Sequence, residues 1–185
     1  MLHGAKFGKS GKVKKPKRLN IENVVAIASG TFHVLMLTKG KELYGIGENR
    51  RNQLKVGESQ QFSAPTKLHW NEGETFPVTI SSGYSHGMII DSSGCLWTFG
   101  SNHRYQTGTP TNALTRLEEV GFITDCSRGG NHVLIKNSSG EIWVWGDSDC
   151  GQLGEPRNFP KPERFDPQYD FIIGRPTIKV KSARK

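Results

Sequence analysis

No stretch of this sequence approaches the roughly 18 consecutive apolar residues that a membrane-spanning helix requires, and no apolar segment follows its first residues as a secretory signal would. Cysteine is scarce: Cys95, Cys126 and Cys150 are odd in number and show no Cys-x-x-Cys spacing. That pattern argues against a disulfide framework or a zinc site and for free thiols in a reducing compartment. The order Gly-x-x-x-x-Gly-Lys-Ser/Thr is missing, so nucleotide hydrolysis by this chain is not expected. Ser85 and His86 are sequence neighbours and make no catalytic triad by themselves. Asp147, Ser148 and Asp149 lack the further oxygen ligands and distal glutamate of a calcium loop, so they read as a solvated turn. Together these absences predict a soluble intracellular protein, cytoplasmic or nuclear, with no catalytic side chains, no metal and no cofactor.

Acidic residues are absent from both ends. Residues 1–18 carry Lys6, Lys9, Lys12, Lys14, Lys15, Lys17 and Arg18, and residues 175–185 carry Arg175, Lys179, Lys181, Arg184 and Lys185. Setting these 12 aside leaves 13 basic residues against 17 acidic ones, so the formal charge of +8 divides into two basic tails on a body of −4. Such tails suit an acidic partner: nucleic acid, an anionic membrane surface or an acidic protein patch. Lys12, Lys14, Lys15, Lys17 and Arg18 fit either a nuclear-import signal or phosphate contacts. The competing reading makes Pro16 to Leu19 an edge strand with lysines facing water. Aromatics are not interleaved with these lysines beyond Phe7, so base stacking is not expected. Gly4, Gly8 and Gly11 mark 1–15 as a flexible arm, and 175–185 reads as a second basic tail.

What the sequence does contain is one segment written three times. Its spine is Gly-x-x-His, a hydrophobic strand, a glycine turn and an aromatic-Gly ending. The copies carry Gly30 and His33, Gly83 and His86, and Gly129 and His132; they end at Gly47, Gly100 and Gly146. The histidines are 53 and then 46 residues apart, a period that signals stacked repeats. Val34 to Thr38 followed by Lys39-Gly40 and Glu42 to Ile46 reads as a hairpin, with counterparts around Gly94 and Gly140, each glycine suiting a turn position with φ > 0. Proline-led segments at Pro65 and Pro162 suit outermost strands. With no helical segment in sight, short strands at even spacing predict an all-β fold: a partial β-propeller of about three four-stranded blades with basic flexible tails. The repeats span about 24–68, 78–121 and 123–166 within 16–174, and a degenerate fourth begins at 167–174, where Thr177 stands in place of histidine.

The order Gly-x-x-His, strand, Gly turn, aromatic-x-aromatic-Gly, then Gly151-Gln152-Leu153-Gly154 closely resembles the regulator of chromosome condensation repeat. The first copy departs at Asn52-Gln53-Leu54-Lys55 and replaces the second aromatic by Ile46. The resemblance implies a β-propeller, usually closed with seven blades. The founding member guides nucleotide exchange on the small GTPase Ran while sitting on chromatin. Relatives include the retinitis pigmentosa GTPase regulator, HERC-type ubiquitin ligases, the plant UV-B photoreceptor and mitochondrial ribosome-assembly factors, so fold does not fix function. Three blades cannot close a ring. The chain is therefore expected to pair with itself or a partner, to form an open arc capped by its tails, or to be a piece of a longer protein; pairing is the favoured expectation.

Candidate binding residues follow from the repeat. Arg50, Arg51 and Asn52, His103, Arg104 and Tyr105, and Asp147, Ser148 and Asp149 occupy equivalent loops and are expected to line one partner-binding rim. The surplus of seven residues in the first interval falls around an insertion carrying Trp70, Glu72 and Glu74, a candidate surface loop. His33, His86 and His132 recur at one repeat position, which suits structural imidazoles bonding a neighbouring loop rather than metal ligands. Trp143 and Trp145 lie on one face of a strand and are expected to pack between blades. The resulting expectation is a non-catalytic interaction module involved in small-GTPase regulation, exchange-like in action. The alternative is a chromatin- or ribonucleoprotein-associated subunit anchored by its basic tails.

Overall fold

The computed structural model describes residues 18–55, 59–70 and 73–165. Twelve strands form three sheets. The first contains β1 (Val24–Ser29), β2 (His33–Thr38), β3 (Leu43–Glu48) and β4 (Gln61–Leu68). The second contains β5 (Pro77–Ser82), β6 (His86–Asp91), β7 (Leu96–Gly100) and β8 (Thr115–Leu117). The third contains β9 (Ile123–Arg128), β10 (His132–Asn137), β11 (Ile142–Gly146) and β12 (Phe159–Phe165). Strands pair antiparallel in chain order in every sheet, giving three meanders that stack as blades. The described residues contain no helix, and so none long and apolar enough to cross a membrane.

The two-residue period of a strand decides which blade each side chain meets. In the second blade, Ile89 pairs with Trp97 and Ile80, so these residues share a face. That face enters a core with Ala28, Leu35, Leu37, Leu43 and Leu68 of the first blade. Met88 and Leu96 point the other way, into a core with Val133, Ile135 and Trp145 of the third. A sheet buried on both faces has no room for polar alternation, hence the unbroken run Met88-Ile89-Ile90. Trp145 is fully buried and donates from Nε1 to the Gln106 carbonyl of the second blade at 3.1 Å, so the expected inter-blade packing of the aromatic pair is realised.

The outward faces of the first and third blades differ. Ile27 stands at the register position of Ile80 yet is 51% exposed, against 8% for Ile80. Ile142 stands at the position of Leu96 and is 40% exposed, while Leu96 is wholly buried. The repeat supplies an apolar residue at these positions in every blade, but only the inner interfaces use it.

Two sequence expectations need correction. The β6–β7 and β10–β11 turns do place Gly94 and Gly140 at φ 80° and 79°, but in the β2–β3 turn of the first blade the left-handed residue is Lys41 (φ 64°), not Gly40. A side chain there costs about 1–2 kcal/mol. Part of that is offset by the Lys41 ammonium, which lies 3.1 Å from the centroid of the Phe76 ring. Nor do Arg18 and Leu19 form an edge strand; Pro16 and Lys17 lie outside the described residues. The prolines of β4 and β12 do sit on outermost strands, where a missing N–H breaks no ladder.

Candidate functional site

In a four-strand meander the β1–β2 turn and the β3–β4 loop fall at the same end of the blade. Backbone bonds tie them together: Glu48 N–H to the Phe32 carbonyl at 2.8 Å, Ser101 to Ser85 at 2.8 Å, Asp147 to Asn131 at 2.9 Å. A second set of bonds shapes the β3–β4, β7–β8 and β11–β12 loops. The side-chain oxygens of Asn49, Asn102 and Ser148 accept from the N–H of Leu54, Thr107 and Leu153 at 2.9, 3.1 and 3.0 Å. Gln53, Gln106 and Gln152 accept in the same way from Arg51, Arg104 and Cys150. The first copy, which departs from Gly-Gln-Leu-Gly, keeps this turn: Asn52 and Lys55 adopt φ 58° and 57° where Gly151 and Gly154 stand at 76° and 100°. Tyr105 does likewise at φ 61°.

These loops present Arg50, Arg51, Asn52, His103, Arg104, Tyr105 and Asp149 as exposed side chains, with Asp147 half-buried. Between the second and third blades the charges pair, Arg104 Nη1 lying 2.9 Å from Asp149 and 4.0 Å from Asp147. Between the first and second they do not. Arg50 approaches its own blade's Glu48 at 3.4 Å, and Arg51 makes no ion pair with a described residue. Arg50, Arg51, Asn102, His103 and Thr111 line a cleft of about 590 Å³ there. Phe32 and Tyr84, on the β1–β2 and β5–β6 turns at the same end, are 53% and 60% exposed.

The three repeat histidines lie nearer the common axis, and each glycine of the Gly-x-x-His motif has a steric reason. A Cβ on Gly30, Gly83 or Gly129 would overlap the ring of the histidine three residues on. His33 Nε2 meets Ser82 Oγ of the next blade at 2.5 Å. His86, wholly buried, has no hydrogen-bond partner among the described residues on either ring nitrogen. Burial first, and then the positive charge of Arg128, pushes His33 down to about 4 and His86 to about 3. His132, half-buried, is also lowered by burial, with Asp147 acting the other way. Sequence reasoning passed over Arg128, although the signal was present: Arg128 occupies the position held by Ser29 and Ser82 in the other copies.

Trp70 packs edge-on to Trp97 at 5.4 Å, under the Lys55 ammonium, and joins the core between the first two blades; Glu74 is exposed. Glu72, Lys12, Lys14, Lys15 and Lys17, the 175–185 tail and the degenerate copy at 167–174 lie outside the described residues, and Arg18 is exposed. The three cysteines are free. Among the described residues, no three His, Cys, Asp or Glu side chains are grouped to hold a metal.

Residues 24–53, 78–106 and 125–152 match the model of the regulator of chromosome condensation (RCC1) repeat. The chain is 30% identical over 125 residues to the protein RCC2 homolog of Danio rerio, covering 64% of this chain and 24% of that protein. It is 38% identical over 76 residues to the X-linked retinitis pigmentosa GTPase regulator homolog of Caenorhabditis elegans, covering 40% of this chain and 5% of that one. In structure it is similar to yeast RCC1 (Prp20), solved bound to Kap60, with a TM-score of 0.74 and 21% identity over 84% of this chain and 39% of that one. The chain thus spans a quarter or less of these two curated relatives' length.

Proposed function

Because this chain belongs to the regulator of chromosome condensation repeat family, we propose that it is a non-catalytic interaction module whose loop end binds a protein partner, a small GTPase. The supporting observation is the basic cleft: Arg50 and Arg51 face His103 across the first two blades, only Arg50 has a described acidic partner, Glu48, and Phe32 and Tyr84 are exposed on turns at the same end. Arginine and aromatic side chains dominate binding energy at protein interfaces. The resemblance to a relative named as a GTPase regulator favours that partner class. Exchange needs only tighter binding to the nucleotide-free GTPase than to the loaded one, so it requires no catalytic side chain here. Nucleotide release from a panel of small GTPases tests the reading. Release from one member should accelerate, and Arg51→Glu should reduce the acceleration about tenfold or more. Acceleration of none would reject exchange. The alternative, a chromatin- or ribonucleoprotein-associated subunit, rests on basic ends that are known from sequence alone.

A second observation favours completion by a further blade. Thr31 N–H donates to the Tyr84 carbonyl, and Tyr84 N–H to the Gly130 carbonyl, each at 3.0 Å. This ladder between blades has a direction: the Thr31 carbonyl at one end and the Gly130 N–H at the other make no such bond among the described residues. A two-fold pair using one flank twice would set like groups together, whereas a head-to-tail neighbour supplies donor to acceptor. The exposed Ile27 and Ile142 flanks match that arrangement. Light scattering after size exclusion should show self-association or capture of a partner blade; a clean monomer at high concentration would exclude self-completion.

A further inference from the structure

Register places Ser29, Ser82 and Arg128 at one repeat position, opposite Val34, Gly87 and Val133 on the neighbouring strands. The serine at this position serves the preceding blade, since Ser82 Oγ holds the His33 ring of the first blade. By the same relation Arg128 stands where a hydroxyl would serve His86. Among the described residues this leaves two orphans: His86 keeps both ring nitrogens unpartnered, and Arg128 Nη1 is buried with no hydrogen-bond partner.

Arg128 makes no ion pair with a described residue, and burial pushes its guanidinium down to about 10. The Cys126 thiol beside it is held in its neutral form by burial and supplies no balancing charge. The neighbouring His33 and His86 are neutral and cannot compensate a positive charge. Arg128 as a whole is half-buried, but its Nη1 is fully buried, and a guanidinium drawn out of water is costly unless something of opposite charge meets it. Arg128 also lines a hollow of about 390 Å³ at the meeting point of the three blades. The rest of that lining is Ser29, Thr31, Ser82, Tyr84 and the glycine turns, with hydroxyls and backbone but no acid.

We propose that this axial hollow is an oxyanion site, in which Arg128 binds a carboxylate or phosphate group. The guanidinium presents a planar donor fork that matches either group. The hollow exceeds a single small anion, so the group can arrive free or on the side chain of a partner segment. It opens at the same end as the loop rim yet shares no residue with the arginine cleft, so the proposal stands whether or not a GTPase binds there.

Two probes separate the sources: inorganic phosphate and N-acetylglutamate, each titrated into the full chain against chloride at matched ionic strength. Calorimetry and thermal denaturation should show saturable binding of at least one probe. Saturation by phosphate alone identifies a phosphate site, and saturation by the carboxylate identifies an acidic side chain as ligand. Arg128→Ser should weaken the binding about tenfold or more, as expected for loss of a charged hydrogen-bonding pair, while keeping the fold, because serine restores the hydroxyl that His86 lacks. Arg128→Lys, which keeps the charge without the fork, should bind with intermediate strength and serves if the serine variant does not fold. No saturable response to either probe, or an equal response in wild type and both variants, would overturn the proposal.

Discussion

Gly83→Ala is expected to destabilise the protein by about 3 kcal/mol or more, at the upper end for overpacking. The new methyl would overlap the His86 ring, which is wholly buried and has no space to move into. It would also come 2.8 Å from the Gly130 carbonyl, the acceptor for Tyr84 N–H in the ladder between the second and third blades. The strain therefore falls on a core residue and on an inter-blade bond together. Gly73→Ala provides the comparison. That glycine has a left-handed φ of 65° but nothing within 4 Å of the added carbon, so only the conformational cost of about 1–2 kcal/mol applies. Urea denaturation of the two variants should show the ranking; a Gly83 variant no weaker than the Gly73 variant would contradict the ring-stacking account of the Gly-x-x-His motif.

Acidification should unfold the protein well before its carboxylates titrate. His33 falls from 6.5 to about 4 on folding, and His86 from 6.5 to about 3, both chiefly because burial excludes the charged form. As pH drops through 6.5 the unfolded chain takes up these protons and the folded chain does not. The stabilisation is thus complete above 6.5 and is lost progressively toward pH 4. For His33 the whole interval corresponds to about 3 kcal/mol, and down to pH 5 each of the two histidines contributes a loss of about 2 kcal/mol. Arg128 adds to the effect on both, since its positive charge opposes theirs. Glu42, Glu141 and Glu163 have carboxyls held below their ordinary value by hydrogen bonds from Lys67, Asn137 and Arg157, so their losses begin lower. Urea midpoints measured from pH 7.5 to 4.5 should fall along this course, and His86→Gln, neutral throughout, should flatten it. A midpoint unchanged between pH 7 and 5 would show that the histidines do not remain neutral in the folded state.

Much of the blade was legible because its signals are local. Alternation fixes which strand residues share a face, Gly94 and Gly140 occupy the left-handed turns their glycines suit, and Pro65 and Pro162 mark outer strands. Where one residue can substitute for another's conformation, the pattern misled. Lys41, rather than Gly40, takes the left-handed turn because its N–H closes onto the Thr38 carbonyl as Gly94 and Gly140 close onto Asp91 and Asn137. Asn52 and Lys55 hold a turn that glycine holds in the third copy, because Asn49 and Gln53 supply the same bonds. The rim residues were recoverable from their equivalent positions, but not their pairing. Arg104 is matched by Asp149 across a blade boundary while Arg51 makes no ion pair with a described residue, which depends on which loop stands beside which.

The repeat, the strands and the count of three follow from local signals, since turn glycines, proline edges and two-residue alternation act within a few neighbours along the chain. What each repeated residue does depends on how the blades assemble. The apolar residue repeated at Ile27 and Ile80 is exposed in one blade and buried in the next, and of the repeated histidines His33 is bonded while His86 finds no partner among the described residues. Burial and hydrogen bonding belong to the interface between two blades, and each interface joins residues some fifty positions apart in sequence; Ser82 against His33, and Arg128 against His86, have no local signature until the blades are set side by side.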